Sequence, residues 1–209
     1  MRSLLIVSCI SVLGAGALNA QEVPRLTFDA GAGFTQPVGN TGRNLDLGWN
    51  IQAGGGINFN AWVAAKLQLD YNSMGINSGV LSNLGFPGGG VHVFSATLDP
   101  MVHLNPHGHL DVYLIGGGGL YHWNQDFTAP GIATVTGFDP FFGFFPVAVP
   151  TQQVLASYTV NKPGVNGGLG VAFGTRNRGK FFAEARYDHI FMGGGRHSDY
   201  VPVSFGFRW

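Results

Sequence analysis

The chain is short of cysteine and of charge: it has one Cys, Cys9, and 11 basic and 11 acidic side chains in 209 residues. Cys9 lies in a mostly apolar N-terminal segment, so the rest of the chain has neither disulfides nor thiolate chemistry available. Charged residues make up 11%, against about 25% in a soluble domain. Either the surface is unusually bare or much of it does not face water. The even balance of charge gives no electrostatic reason to expect nucleic acid as a partner. Past the N-terminal segment, no uninterrupted apolar run reaches the length of a membrane-spanning helix. The nearest candidate, residues 139–162, is uncharged between its ends but is broken by Pro140, Pro146 and Pro150. Glycine, in contrast, is abundant at 34 residues spread through strand-like segments, which suits a β-protein with close backbone approaches.

Met1-Arg2-Ser3, a predominantly apolar run over 4–18 and Asn19-Ala20 read together as a secretory signal peptide spanning 1–20. Cleavage after Ala20 or after Ala17 fits the small-residue rule. Residues 21–209 are then expected to form a single domain.

From residue 25 onward, apolar side chains recur at every second position in eight segments of roughly ten residues. The first sets Leu26, Phe28, Ala30, Ala32 and Phe34 against Thr27, Asp29, Gly31 and Gly33; the last sets Val201, Val203, Phe205, Phe207 and Trp209 against Ser204, Gly206 and Arg208. The others begin near residues 47, 63, 94, 110, 165 and 181. Gly116 to Gly119 interrupt the fifth, over 110–121, and predict a bend there. None of the eight apolar faces carries Asp, Glu, Lys or Arg, while the opposite faces are mostly Gly, Asn, Gln, Ser and Thr. A soluble barrel needs a highly charged outer surface. This pattern instead predicts an all-β fold: an eight-stranded, antiparallel, up-and-down transmembrane β-barrel with its apolar faces in lipid. Aromatics near the strand ends fit interface girdles, with Phe34, Trp49, Tyr71 and Phe94 at one rim and Phe59, Phe173, Phe181, Phe207 and Trp209 at the other.

Connections alternate short (58–61, 105–109, 174–179) and long (35–45, 72–90, 123–157, 192–199). With both termini in the periplasm, the long ones face outward.

The segment pattern and the terminal Val203-Ser204-Phe205-Gly206-Phe207-Arg208-Trp209 resemble the small OmpA/OmpX-like outer-membrane barrel superfamily. The resemblance covers nearly all of 21–209, and only the barrel half of OmpA-type proteins. It implies a bacterial outer-membrane location with membrane lipid as surroundings. It also implies recognition of Phe205, Phe207 and Trp209 by the barrel-assembly machinery, with Trp209 equally suited to a girdle. Family barrels hold paired charges inside, and the inward positions here include Lys66, Asp70, Glu184, Arg186 and Asp188. These either form a network across the lumen that plugs it or stand apart, each solvated by lumen water.

No catalytic residue, metal or cofactor is assigned. His197-Ser198-Asp199 invites comparison with lipid A-modifying barrels, but adjacent residues point in different directions and lack a nucleophile–base arrangement. His103, His107 and His109 cluster at a turn whose Asn105-Pro106 sequence is turn chemistry. The leading expectation is a monomeric, non-enzymatic barrel with a structural or surface-interaction role, which contributes to envelope integrity and displays long loops through which an extracellular partner could bind. A narrow channel, a lipid A enzyme and a soluble periplasmic binding barrel are the alternatives. The segment 123–157 stands out because loops this long are uncommon and often functional. It carries Phe138, Phe141, Phe142, Phe144 and Phe145 and is expected to contact a partner or lipid surface, to fold down as a lid, or to pack against the other loops.

Overall fold

A computed structural model describes residues 24–106, 108, 110–175 and 179–209. The expected signal peptide and its cleavage site lie outside the described residues, as do His107 and His109. Eight strands run in chain order around a closed barrel: β1 (Leu26–Val38), β2 (Gly48–Asn58), β3 (Val63–Gly75), β4 (Gly88–His103), β5 (Leu110–Asp139), β6 (Gly143–Thr175), β7 (Gly179–Gly193) and β8 (Arg196–Arg208). Every neighbouring pair is antiparallel, and β8 closes on β1 through the register Asp29↔Arg208 to Val38↔Asp199. Phe28 and Trp209 exchange two backbone hydrogen bonds of 2.9 Å at the end of this seam, so no strand edge is left open around the barrel body.

The inside/outside alternation follows the sequence pattern. In β1, Leu26, Phe28 and Phe34 are exposed while Asp29 and Thr35 are buried. In β4, Phe94, Leu98 and Val102 face out, and Val91, Val93, Ser95, Thr97, Asp99 and Met101 are buried. A one-residue slip in any strand would place this polar set in lipid, which fixes the register.

Both aromatic groups assemble across strands. Phe34 pairs with Trp49, and the Trp49 and Tyr71 rings lie 5.5 Å apart. At the terminal end, where β1 begins and β8 ends, Phe173, Phe181, Phe207 and Trp209 form a chain of rings with successive centroid distances of 5.7, 5.1 and 6.2 Å.

The fold corrects three local expectations. No β-bulge marks Gly116 to Gly119: their pairing with β6 runs from Gly116↔Gly167 to Gly119↔Gly164 without a shift. The β4 register is likewise the same on both sides of Pro100. The glycines serve close approach instead, since a Cβ on Gly119 would lie 2.0 Å from the Ala96 carbonyl oxygen.

The connection over 72–90 is not an open loop. β3 continues to Gly75, and a short helix, α1 (Ser78–Leu84), follows. The Asn77 side chain accepts the Gly79 N–H at its start, and Gly85 stops it in a left-handed conformation with φ 74°.

The largest correction concerns 123–157, which is strand almost throughout. β5 and β6 stay paired out to Asp139↔Gly143, with one register shift at Phe127/Thr128. Periodicity gives no sign of this extension, because a ribbon with water on both faces has no reason to alternate.

Candidate functional site

The lumen is filled in three tiers. At the loop end, Met74, Val91, Val93, Tyr121, Trp123, Ile190 and Tyr200 form a buried apolar cluster, joined by Leu45, Ile76 and Leu81 of α1. Leu81 thus closes over the barrel mouth, the lid position that 123–157 was a candidate to take. At the terminal end, Met101, Tyr113, Ile115, Phe182, Ala64 and Ala172 form a second cluster.

Between them lies a buried polar layer centred on Arg186. Its Nε donates to Glu184 at 2.7 Å, Nη1 to Asp99 at 3.1 Å and Nη2 to Gln52 at 3.1 Å, with Asp70 at 3.7 Å. Arg186 on β7 therefore reaches β2, β3 and β4 across the barrel. Lys66 turns to Asp29 of β1 at 3.1 Å rather than to the Arg186 group. Asp188 accepts the Tyr121 hydroxyl at 2.6 Å.

Three charged residues absent from the sequence-derived set complete the layer. Asp29 and Asp99 are partners of Lys66 and Arg186. Arg208 lies 3.7 Å from Asp29 and 4.0 Å from Glu184, with its guanidinium 4.8 Å from the Tyr113 ring centre. All three sit on the polar faces of the sequence pattern. Which of them meet depends on strand tilt and register, which alternation does not encode.

An interior packed in this way is expected to leave ions no continuous water path. Reconstitution in planar bilayers is therefore expected to yield no stable open conductance. Steady single-channel currents would contradict the filled lumen. A cavity of about 700 Å³ opens at the terminal end, lined by Lys66, His103, Asp111, Lys180 and Arg208 among others. Its charges are paired, with Asp111 holding both His103 at 2.8 Å and Lys180 at 3.2 Å. Among the described residues, no group of three or more His, Cys, Asp or Glu is arranged to hold a metal ion.

Near the loop end, Asp199 is flanked by His189 at 2.6 Å and His197 at 3.3 Å. His189 was not picked out from the sequence, since it sits ten positions upstream on the neighbouring strand. Ser198 lies on the opposite face of β8, its hydroxyl 3.1 Å from that of Thr41. The Asp–His pair thus has no hydroxyl nucleophile at Ser198.

The C-terminal aromatics face outward: Phe205 and Trp209 are exposed and Phe207 is half-buried beside Phe181.

Beyond the barrel rim the β5–β6 hairpin continues alone. Pairing of β4 with β5 ends at Gly88↔Thr128, and pairing of β6 with β7 begins only at Gly164↔Ile190. Residues 129–139 and 143–153 therefore pair with each other in eleven rungs, a ribbon of about 35 Å at the usual rise of a strand. At its apex Asp139 Oδ1 accepts the backbone N–H of Phe141 at 2.8 Å and of Phe142 at 3.1 Å. Phe141 and Phe142 are 92% and 87% exposed. Phe138 and Phe144 pair directly below, with ring centres 5.2 Å apart. Phe145 is the least exposed of the five, at 43%.

Three crystal structures share this architecture. Neisserial surface protein A superposes with a TM-score of 0.58 at 13% identity, covering 90% of this chain and 98% of that one. A major outer membrane protein from Thermus thermophilus gives 0.56 at 12%, covering 88% and 97%. Ail, the attachment invasion locus protein of Yersinia pestis, in complex with the heparin analogue sucrose octasulfate, gives 0.51 at 16%, also covering 88% and 97%. These likenesses establish the fold alone. No curated protein sequence matches the chain. The family described as outer membrane protein beta-barrel domain matches residues 5–207, and with the closed, apolar-faced barrel it places the chain in the bacterial outer membrane, as a member of that family.

Proposed function

We propose that the protein is a non-enzymatic surface-interaction barrel. Its filled body anchors it in outer-membrane lipid, and its β5–β6 ribbon makes contact outside the cell. The observation that carries this reading is the ribbon itself: a projecting two-stranded hairpin with one charged residue, Asp139, over 129–153 and a cap of exposed phenylalanines. An isolated two-stranded hairpin is marginal in water, and an exposed apolar surface of this kind marks a contact. The start of β1, the end of β8 and the β2–β3, β4–β5 and β6–β7 turns share the opposite end, which directs the ribbon outward if that end is periplasmic.

Residues 1–20 act as the export signal in this account, and Phe205, Phe207 and Trp209 present the closing strand to the assembly machinery. The protein works as a monomer, because the barrel body has no edge to share. Ail is seen with a sulfated ligand. This ribbon carries no Lys, Arg or His, so the contact chemistry it supports is apolar rather than anion-binding.

Replacing residues 129–153 by an Asn-Gly turn joins Thr128 to Val154 through a favoured two-residue hairpin connection. Heat-modifiable gel mobility and outer-membrane fractionation are expected to be unchanged, because the excised rungs pair only with each other. Retention of whole cells on an octyl-agarose matrix is expected to fall several-fold. Unchanged retention would sink the contact reading. Loss of folding would make the ribbon part of the barrel's stability rather than a displayed element.

A further inference from the structure

Building on the display reading, we propose that the ribbon apex inserts into the interfacial layer of a phospholipid bilayer lying opposite the membrane that holds the barrel.

The apex geometry supports insertion. Asp139 spends its carboxylate on the N–H groups of Phe141 and Phe142, and Gly143 reverses the chain at φ 76°. The turn is thereby held open with both rings directed away from the ribbon. With Phe138 and Phe144 just below, four aromatic rings crown the tip. Aromatic rings favour the membrane–water interface. Insertion of apolar side chains to about 5–10 Å is typical of interfacial contacts, a depth that a two-rung apex matches.

Polarity is graded along the arm. Gln152 and Gln153 lie at the base; Thr134, Thr136, Ala133, Val135, Val147 and Val149 fill the middle; phenylalanine occupies the end. An arm of about 35 Å carries the apex clear of the leaflet around the barrel.

The same residues argue against a protein partner. With Asp139 as its one charge, hydrogen-bonded to the turn backbone, the ribbon offers little for electrostatic complementarity. Its free edges are also unsuited to strand addition. Pro130, Pro146 and Pro150 all fall in rungs of the same class, opposite Gln152, Thr136 and Ile132. Alternate rungs of an antiparallel pair direct their N–H groups outward, so the prolines remove donors from both edges.

The test uses the full barrel in lipid nanodiscs, mixed with separate phosphatidylcholine vesicles. Wild-type discs are expected to float with the vesicles, equally at low and high salt, because the contact is made by uncharged rings. F141S/F142S discs, checked for heat-modifiability, are expected to bind roughly tenfold or more weakly. An F141W variant is expected to shift its emission to the blue and to be quenched by brominated lipid confined to the second vesicles, which the barrel tryptophans do not reach.

Failure of wild-type discs to float, or flotation unaffected by F141S/F142S, would overturn the proposal. Binding that requires anionic lipid and vanishes in high salt would overturn it too. Discs that pair with each other and ignore vesicles would identify a second copy as the occupant and overturn it equally. The display reading would survive each of these results, since it fails only if the apex is inaccessible on cells or the ribbon makes no contact there.

Discussion

Arg186→Ala is expected to destabilise the folded barrel by about 3–5 kcal/mol, the usual cost of removing one partner from a buried ionic group. The effect should be at the upper end because one guanidinium serves several partners. Glu184 and Asp99 each lose a bond of about 3 Å or shorter, Gln52 loses its donor, and Asp70 loses its nearby cation. The side chains of Glu184 and Asp99 are 1% and 0% exposed, so neither carboxylate can turn to bulk water. Arg186→Lys keeps the charge but loses the planar fork, and is expected to fall between Ala and wild type. Urea titration of the barrel in lipid vesicles, read as the fraction running at the folded gel position, measures both. A loss below about 1 kcal/mol for Arg186→Ala, the level typical of solvated pairs, would mean that the carboxylates are hydrated singly and that no network plugs the lumen.

Gly33→Val is expected to prevent the barrel from closing. Gly33 lies on the lumen side of the β1–β8 seam, where a Cβ would stand 1.9 Å from the Val203 carbonyl oxygen and 2.9 Å from Ser204 Cα. Both obstacles are backbone, so relief requires β8 to move away from β1 and lose the pairing that joins the two ends of the sheet. Gly206 faces the same restriction from the other strand, its Cβ position being 2.2 Å from the Ala30 carbonyl oxygen. The variant should accumulate as unfolded protein without a heat-modifiable band. Gly55→Ala is the control: its Cβ would meet only the Phe28 ring at 3.5 Å, an ordinary contact, and folding should be normal. If Gly33→Val folds as well as Gly55→Ala, the seam is looser than described.

These predictions separate what the sequence encodes openly from what it does not. Alternation was legible at once, because lipid outside and a crowded lumen inside impose opposite demands on successive residues. It was enough to place Asp29, Lys66, Asp99, Glu184, Arg186 and Arg208 on one side of the sheet. It could not say that Lys66 meets Asp29 while Arg186 crosses to Asp99, because those partners are set by tilt around a closed barrel.

The ribbon was hidden for a different reason. Pro130, Pro146 and Pro150 read as strand breakers, yet each fits an edge rung where no N–H is needed. α1 was missed although Asn77 and Gly85 are both helix-boundary residues, because seven residues are too few to show a helical period. The five phenylalanines stand out in the sequence, but it leaves contact surface, lid and packing against other loops all open. Their arrangement as the cap of an arm required the strand pairing.

The most direct test of the account is the accessibility of single cysteines on intact cells, in a background lacking Cys9. Phe142→Cys at the ribbon apex is expected to react with a membrane-impermeant maleimide on whole cells. Asn60→Cys, in the β2–β3 turn at the terminal end, should react only after the outer membrane is permeabilised. Labelling of Asn60→Cys but not Phe142→Cys on intact cells would invert the barrel and contradict a ribbon displayed to the outside.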